Sequence, residues 1–285
     1  KAIRRQRQMC IRDRSDFGTG LVQFVTPLVI GFSAFAALGA PQVAHLADGK
    51  TVQYWLQNAA WIWIPFVVII TILSWLCLRS VPVTANIKKQ WSIFGNKHTW
   101  FMTLFYYGTF ATFAGLGAQL ALLGTHEFAH IENAPNVVAL AWLGPVIGAL
   151  SRVGAGKVAD SIRGGRVTTI MAVCNIIGLL GLWLYKPDSV MGCWIWLGFM
   201  FWVFFWTGVG NASTTEQMAV LFPPLQGGAV VGWTSAIGAY GPFTIGVLLA
   251  ETNAATMFAV TTAIFIAILL INIYYYDRKD APDLC

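Results

Sequence analysis

GKVADSIRGGRVT, residues 156–168, is the stretch on which the fold turns. It is short and polar, and it separates two apolar runs, 136–155 and 168–186. Crossing ~30 Å of hydrocarbon takes about 20 apolar residues, so the stretch reads as a tight turn between two membrane-spanning helices. Within it stand Gly156, Asp160, Arg163, Gly164, Gly165 and Arg166. An aspartate at a helix N-terminus, paired with arginine, can latch neighbouring helices together at one membrane face. An ordinary charged turn has the same composition, and the residues alone leave both readings open.

Composition extends the membrane reading to the whole chain. Of 285 residues, 57% are hydrophobic and 11% charged, against about 25% charged in soluble domains. Such a chain cannot cover a soluble surface, and the bilayer is its solvent. The formal charge of +6 is concentrated at the start, where residues 1–14 hold Lys1, Arg4, Arg5, Arg7, Arg12 and Arg14. The remainder is nearly neutral, so the basic balance gives no reason to expect a nucleic-acid partner. RQRQMCIRDR, within residues 1–14, resembles a translated sequencing-adapter peptide, and the tail is treated as non-native. The five cysteines, Cys10, Cys77, Cys174, Cys193 and Cys285, have no C-x-x-C spacing; they suggest neither a disulfide framework nor a metal site.

Eight runs are long and apolar enough to span: about 18–40, 57–79, 99–123, 136–155, 168–186, 190–220, 228–250 and 254–276. Arg79, Lys88, Lys89, Lys97, Lys157, Arg163, Arg166, Arg278 and Lys279 fall in the loops of one side. The other side holds Lys50 and Lys186 among Asp48, Glu127, Glu132, Asp188 and Glu251. The excess of cations places the first side, with both ends, in the cytoplasm. The expected organisation is a tail at 1–14, two helices over 15–79, a cytoplasmic linker over 80–98, a six-helix bundle over 99–276 and a cytoplasmic tail over 277–285. Two helices before a linker and six after it fit a carrier of two six-helix halves.

Three further stretches carry candidate chemistry. FFWTGVGNASTTEQMAVLFPP, residues 204–224, places Gly208, Gly210, Asn211 and Ser213 inside an apolar span. Small residues let helix backbones approach closely, while the polar groups can hydrogen-bond a dehydrated solute. WFMTLFYYGTFATFAGLGAQ, residues 100–119, puts Tyr106 and Phe110 four apart on one helix face; aromatic stripes of this kind commonly only pack. WLGPVIGALSRVGAG, residues 142–156, carries Arg152 as the single charge of its span. An intramembrane arginine is costly and marks a function unless it snorkels to the interface.

Together these stretches resemble the nitrate/nitrite porter family (NarK-type) of the major facilitator superfamily. The 204–224 string looks like that family's nitrate signature, and FGTGLVQFVTPLVI, residues 17–30, resembles its first signature. The 156–168 stretch resembles the superfamily's G-x-x-x-D-x-x-x-G-x-R loop. The resemblance implies an all-α polytopic membrane protein with a partial major facilitator fold matching helices five to twelve. It implies that Arg152 binds a planar anion through two parallel hydrogen bonds, that Tyr106 and Phe110 sandwich it, and that Gly208, Gly210, Asn211 and Ser213 line and hinge the path. Gly156, Asp160, Arg163 and Arg166 would form the latch.

Two residues depart from the family pattern. Asp16 stands where the first signature carries Asn, and a carboxylate there repels an anion. Glu216 introduces an acid into the second signature. The family's second substrate arginine lies on helix two, which the resemblance does not cover. The expected activity is therefore transport of nitrate and nitrite, not enzymatic chemistry, by the intact carrier. No cofactor or metal is expected, and a monomer is. The expected location is the inner membrane of a bacterial cell. The alternatives are a carrier of another small solute and, distantly, a membrane zinc protease. The last rests on His126-Glu127-Phe128-Ala129-His130, an H-E-x-x-H pattern in an outward loop.

Overall fold

The computed structural model describes residues 21–26, 28–30, 39–45, 51–78, 90–278, 280–283 and 285, without the side chains of residues 44, 45, 157, 160, 224 and 225. The readings made for residues 1–14, Asp16, residues 17–20 and 27, Asp48, Lys50, Arg79, Lys88, Lys89 and Lys279 lie outside these. Chain contacts divide the described residues between Leu21–Ala85 and Asn86–Cys285.

In the first unit, residues 21–26 and 28–30 are helical; of the rest of the expected span 18–40 only residues 39 and 40 are described, and they are not helical. Strand β1 (Gln42–His45) then pairs antiparallel with β2 (Thr51–Tyr54), Gln42 opposite Tyr54 and His45 opposite Thr51. The hydropathy reading left this segment as a polar loop. Its local signal is Asp48-Gly49 between two short valine-containing stretches. Helix α1 (Asn58–Trp61) runs through Ile62 into α2 (Trp63–Cys77), a single 20-residue apolar span, Asn58–Cys77. Asn58 Nδ2 donates to the Val29 carbonyl over 3.3 Å. Pro65 sits in the first turn of α2, and its missing N–H falls at the step at Ile62 between the two helices. Within its own unit α2 buries no residue. A helix apolar on every side needs lipid or further helices around it.

In the second unit, residues 90 and 91 are helical and lead into a 3₁₀ turn, Ser92–Gly95. Asn96 then caps α3 (Lys97–Glu127), accepting from the His98 amide over 3.0 Å. At 31 residues α3 is about 46 Å long, enough to cross a bilayer, although threonines and glycines dilute its apolar surface. A short helix α4 (Val137–Leu140) leads into α5 (Leu143–Ile162), followed by α6 (Gly164–Leu184) and α7 (Val190–Leu221). The span Gln226–Glu251 is two helices, α8 (Pro224–Ala239) and α9 (Gly241–Glu251), parted at Tyr240. Pro242 follows the break and removes a backbone donor there. Helix α10 (Ala254–Asn272) ends in a π-helical turn, Ile273–Asp277.

The described helices thus include six spans long and apolar enough to cross a membrane, with α3 long enough to add a seventh. This is an all-α polytopic membrane protein.

Helix α7 packs along α5 and α6; α6 packs on α10, and α3 on α7, α8 and α9. The seam between α5 and α7 is drawn tight by glycine. A Cβ at Gly208 would strike the Gly148 carbonyl and the Ser151 hydroxyl. At Gly210 it would stand 2.6 Å from both Met171 Cε and Thr109 Cγ2. Close backbone approach of this kind replaces the hydrophobic drive that lipid does not supply.

The stretch 156–168 is tighter than a loop. Gly156 and Asp160 lie within α5, Gly164 opens α6, and Arg163 at φ 78° is the single non-helical residue between them. Asp160 therefore lies in the last turn of α5, not at the helix N-terminus that the sequence reading assigned to it. Its side chain is outside the described ones.

Candidate functional site

Arg152 stands near the middle of α5, ten residues before Ile162, about 15 Å from that end. It is 3% exposed, enclosed by protein at mid-helix where snorkelling would require a path to the rim. The local sequence explains the burial. Gly148 and Gly208 let α5 and α7 touch, and Ser151 Oγ donates to the Phe205 carbonyl over 2.8 Å, fixing their register. Phe113 of α3 closes over the same seam, since a Cβ at Gly148 would stand 2.5 Å from its ring.

Tyr106 and Phe110 stack on α3, ring centroids 5.6 Å apart and planes 13° from parallel. Tyr106 is fully buried. Gly238 of α8 lies against it, where a Cβ would be 2.9 Å from the ring. Thr109, between the two aromatics in sequence, faces Gly210 of α7. The structure therefore gathers Tyr106, Phe110 and Gly210 around α3, and Gly208 onto the helix that carries Arg152.

Asn211 and Ser213 differ in what they leave free. The Ser213 hydroxyl lies 2.7 Å from Thr168 Oγ1 and donates to the Gly210 carbonyl over 3.2 Å; it ties α7 to α6. Asn211 is 1% exposed, and its Oδ1 has no hydrogen-bond partner among the described residues. Thr214 Oγ1, one turn on, is in the same condition. Buried polar atoms are nearly always satisfied, so these two have capacity for a guest or for water. In the sequence both stand out as polar residues one helical turn apart inside an apolar span.

A second polar cluster closes the end of the bundle where α5 meets α6. Asn272 of α10 donates to the Gly165 carbonyl over 2.7 Å and to Thr169 Oγ1 over 2.9 Å, and accepts from Gln217 of α7 over 2.9 Å. Thr169 donates to Asp277 over 2.7 Å. The Gly165 amide donates to the Cys285 carbonyl over 3.0 Å. His98 stands between the Tyr276 hydroxyl, 2.6 Å from Nδ1, and the Asp283 carboxylate, 3.4 Å from Nε2. Burial pushes the His98 imidazole below its ordinary value, against the pull of Asp283. Burial, with Glu216 and Asp283 nearby, pushes the Cys285 thiol up to about 12. Arg163 and Arg166 remain exposed at this end, and the Glu216 carboxylate packs against Gly164. Among the expected latch residues, the contacts converge on the glycine step beside Arg163.

The H-E-x-x-H pattern does not form a helical ligand pair. Helix α3 stops at Glu127, so His126 is helical and His130 is not. Phe128 between them is buried, edge-on to Trp196 at 5.4 Å, and His130 Nε2 lies 3.2 Å from the Pro187 carbonyl. No group of three metal-ligating side chains occurs among the described residues.

No protein-family model matches the chain. It is 42% identical over 279 residues to a probable nitrate/nitrite antiporter, NarK2, of Thermus thermophilus, an alignment covering 95% of the chain and 62% of that protein. It is 34% identical over 253 residues to the nitrate/nitrite transporter NarU of Escherichia coli, covering 81% of the chain and 53% of the relative. For NarU of Salmonella typhimurium the figures are 31% over 293 residues, 93% and 62%. The chain thus spans between 53% and 62% of the length of the curated relatives it matches.

Proposed function

The chain is a homologue of nitrate/nitrite transporters of the major facilitator superfamily, and on that premise we propose that it corresponds to the last eight helices of a carrier of nitrate and nitrite. Residues 15–79 supply the last two helices of an N-terminal bundle, 80–98 a linker, and 99–276 the C-terminal bundle. The carrier works by alternating access, one bundle rocking against the other around a central anion site. It resides in the inner membrane of a bacterium as a monomer. Both ends, with residues 277–285, face the cytoplasm. No chemistry is done on the anion, so the protein is a transporter and not an enzyme.

The observation that supports this reading most directly is Arg152, 3% exposed at the middle of a spanning helix. A permanent cation in a spanning helix costs at least about 2.5 kcal/mol, and it presents a fixed positive charge to an anionic cargo. Its guanidinium is planar and donates in parallel, matching two oxygens of nitrate or the pair on nitrite. The stacked Tyr106 and Phe110 offer flat faces to a flat ion. Asn211 and Thr214, beside the glycines Gly208 and Gly210, leave polar capacity there, the Thr214 hydroxyl being able to donate, while Ser213 ties α7 to α6. The glycine step Gly164-Gly165, with Gly156, Asp160, Arg163 and Arg166 around it, latches the cytoplasmic end.

The test is nitrate/nitrite counterflow in proteoliposomes holding the full-length protein. Nitrite loaded inside should drive uptake of labelled nitrate, with chloride and sulfate failing to substitute. Inserted, folded protein that exchanges neither ion removes the assignment and leaves a carrier of another small solute.

A further inference from the structure

We propose that the outer groove between α3, α9 and α10 is a lipid site, taking one acyl chain of a phospholipid whose headgroup carries a primary ammonium, phosphatidylethanolamine. This rests on the multi-pass membrane fold and is independent of the cargo the carrier moves.

The groove has a volume of ≈ 370 Å³, within the range of small-ligand sites. Tyr107, Ala111 and Thr112 form its floor, with Val247 and Leu248 on one wall and Val260 and Thr261 on the other. It opens outward: Val247 is 44% and Val260 41% exposed, as is usual for side chains that meet lipid.

Four hydroxyl groups line the groove, and each is already spent. Thr112 donates to the Gly108 carbonyl over 2.7 Å, and Thr261 to the Met257 carbonyl over 2.7 Å. Tyr107 and Thr244 bond each other over 2.6 Å, and Thr244 also bonds the Gly241 carbonyl over 2.9 Å. What remains facing the space is methyl and ring surface. That suits a methylene chain and disfavours a polar guest, which would find every hydroxyl donor taken. From Thr244 to Glu251 the groove runs about 10 Å along α9, the length of a segment of tail lying along the helix.

The headgroup preference comes from Glu251. It is exposed at the last residue of α9, where the span Gln226–Glu251 ends, and it is the single charged residue in the lining. Among the described residues no cation forms an ion pair with it. A carboxylate at headgroup depth attracts an ammonium that can donate hydrogen bonds, and it repels the net negative charge of phosphatidylglycerol. The tail fills the groove while the headgroup amine meets Glu251.

The test uses full-length protein purified in mild detergent, incubated with equimolar phosphatidylethanolamine and phosphatidylglycerol of the same acyl chains. Bound lipid is counted by native mass spectrometry. Phosphatidylethanolamine should be retained about tenfold over phosphatidylglycerol, the scale of one charge-assisted contact. Glu251→Gln should erase that preference while a tail is still held. Val247→Trp or Val260→Trp, both on exposed positions, should fill the groove and lower retention of either lipid about tenfold, with the unfolding midpoint unchanged. Equal retention of the two lipids by the wild-type protein would overturn the proposal. So would a preference that survives Glu251→Gln, or retention indifferent to both tryptophans, which would mean that the groove is filled by another part of the protein.

Discussion

At the scale of single residues, the burial of Arg152 and of His98 leads to opposite kinds of prediction. Arg152 can be changed with its charge kept. Arg152→Lys preserves a cation at 3% exposure and loses the parallel donor pair. Counterflow should then fall by at least about tenfold, one lost charge-assisted hydrogen bond being worth that much, while the protein still inserts. Wild-type exchange in the lysine variant would exclude bidentate recognition at this position. His98 concerns stability. Burial lowers its affinity for a proton, Lys97 adds to that, and Asp283 opposes it. It lies outside the apolar run 99–123. A histidine that holds its proton less firmly when folded contributes stability above its unfolded value, near 6.5, and loses it as pH falls through that value and below. The unfolding midpoint of the wild-type protein should therefore drop between pH 7 and pH 5.5 more steeply than that of His98→Gln. Parallel pH profiles for the two proteins would show that the histidine carries none of the dependence. Arg152 was legible in the sequence because a lone charge in an apolar run is conspicuous. His98 was not, because its partners Tyr276 and Asp283 are far along the chain.

At the scale of elements, glycine decides which helices touch. Gly208 and Gly198 both lie in α7, but a Cβ at Gly208 would strike the Gly148 carbonyl, whereas one at Gly198 meets nothing within 4 Å. Gly208→Val should cost about 1–3 kcal/mol as the α5–α7 seam is forced open, and Gly198→Val should leave the thermal midpoint near wild type. Equal effects would mean that helix propensity, not packing, governs both. The Asn272 cluster makes a second case. Asn272→Leu leaves the Gly165 carbonyl and the Gln217 amide without their partner, at about 1–3 kcal/mol for orphaned buried groups. Faster amide exchange at the α5–α6 break is the expected sign, and unchanged exchange there would show the cluster to be ornamental. Helix existence was legible for a simple reason: some 20 apolar residues in a row have few other fates in a bilayer. Breaks were not legible. Hydropathy sums side chains over a window and is blind to a backbone step such as φ 78° at Arg163 or the interruption at Tyr240. The β1–β2 hairpin escaped it for the same reason, being too short and exposed to raise an apolar signal.

At the scale of the whole molecule, composition decides the class, and charge asymmetry predicts an orientation. The helix α2 that buries nothing within its own unit shows why the site was only partly legible. Contacts that complete such a helix come from beyond its own sequence neighbourhood, and periodicity over a window does not reach them. Orientation is open to a direct measurement, because it depends on a sum of loop charges and not on any one contact. Insertion is biased by lysine and arginine in short loops, which are held back from crossing. Arg166 is exposed beside the α5–α6 break, on the side rich in such cations, and Lys186 is exposed between α6 and α7, on the side poor in them. In a full-length protein with its native cysteines replaced, Lys186→Cys should react with a membrane-impermeant maleimide in intact spheroplasts, and Arg166→Cys only once the membrane is permeabilised. The two sites are joined by α6, a 21-residue helix of about 31 Å, so they cannot share a face if α6 spans. Labelling of both from outside would mean that α6 does not cross. The reverse pattern would keep the fold and invert the molecule, placing the Asn272 cluster and the glycine step outside, where a latch would close the opposite gate of the transport cycle.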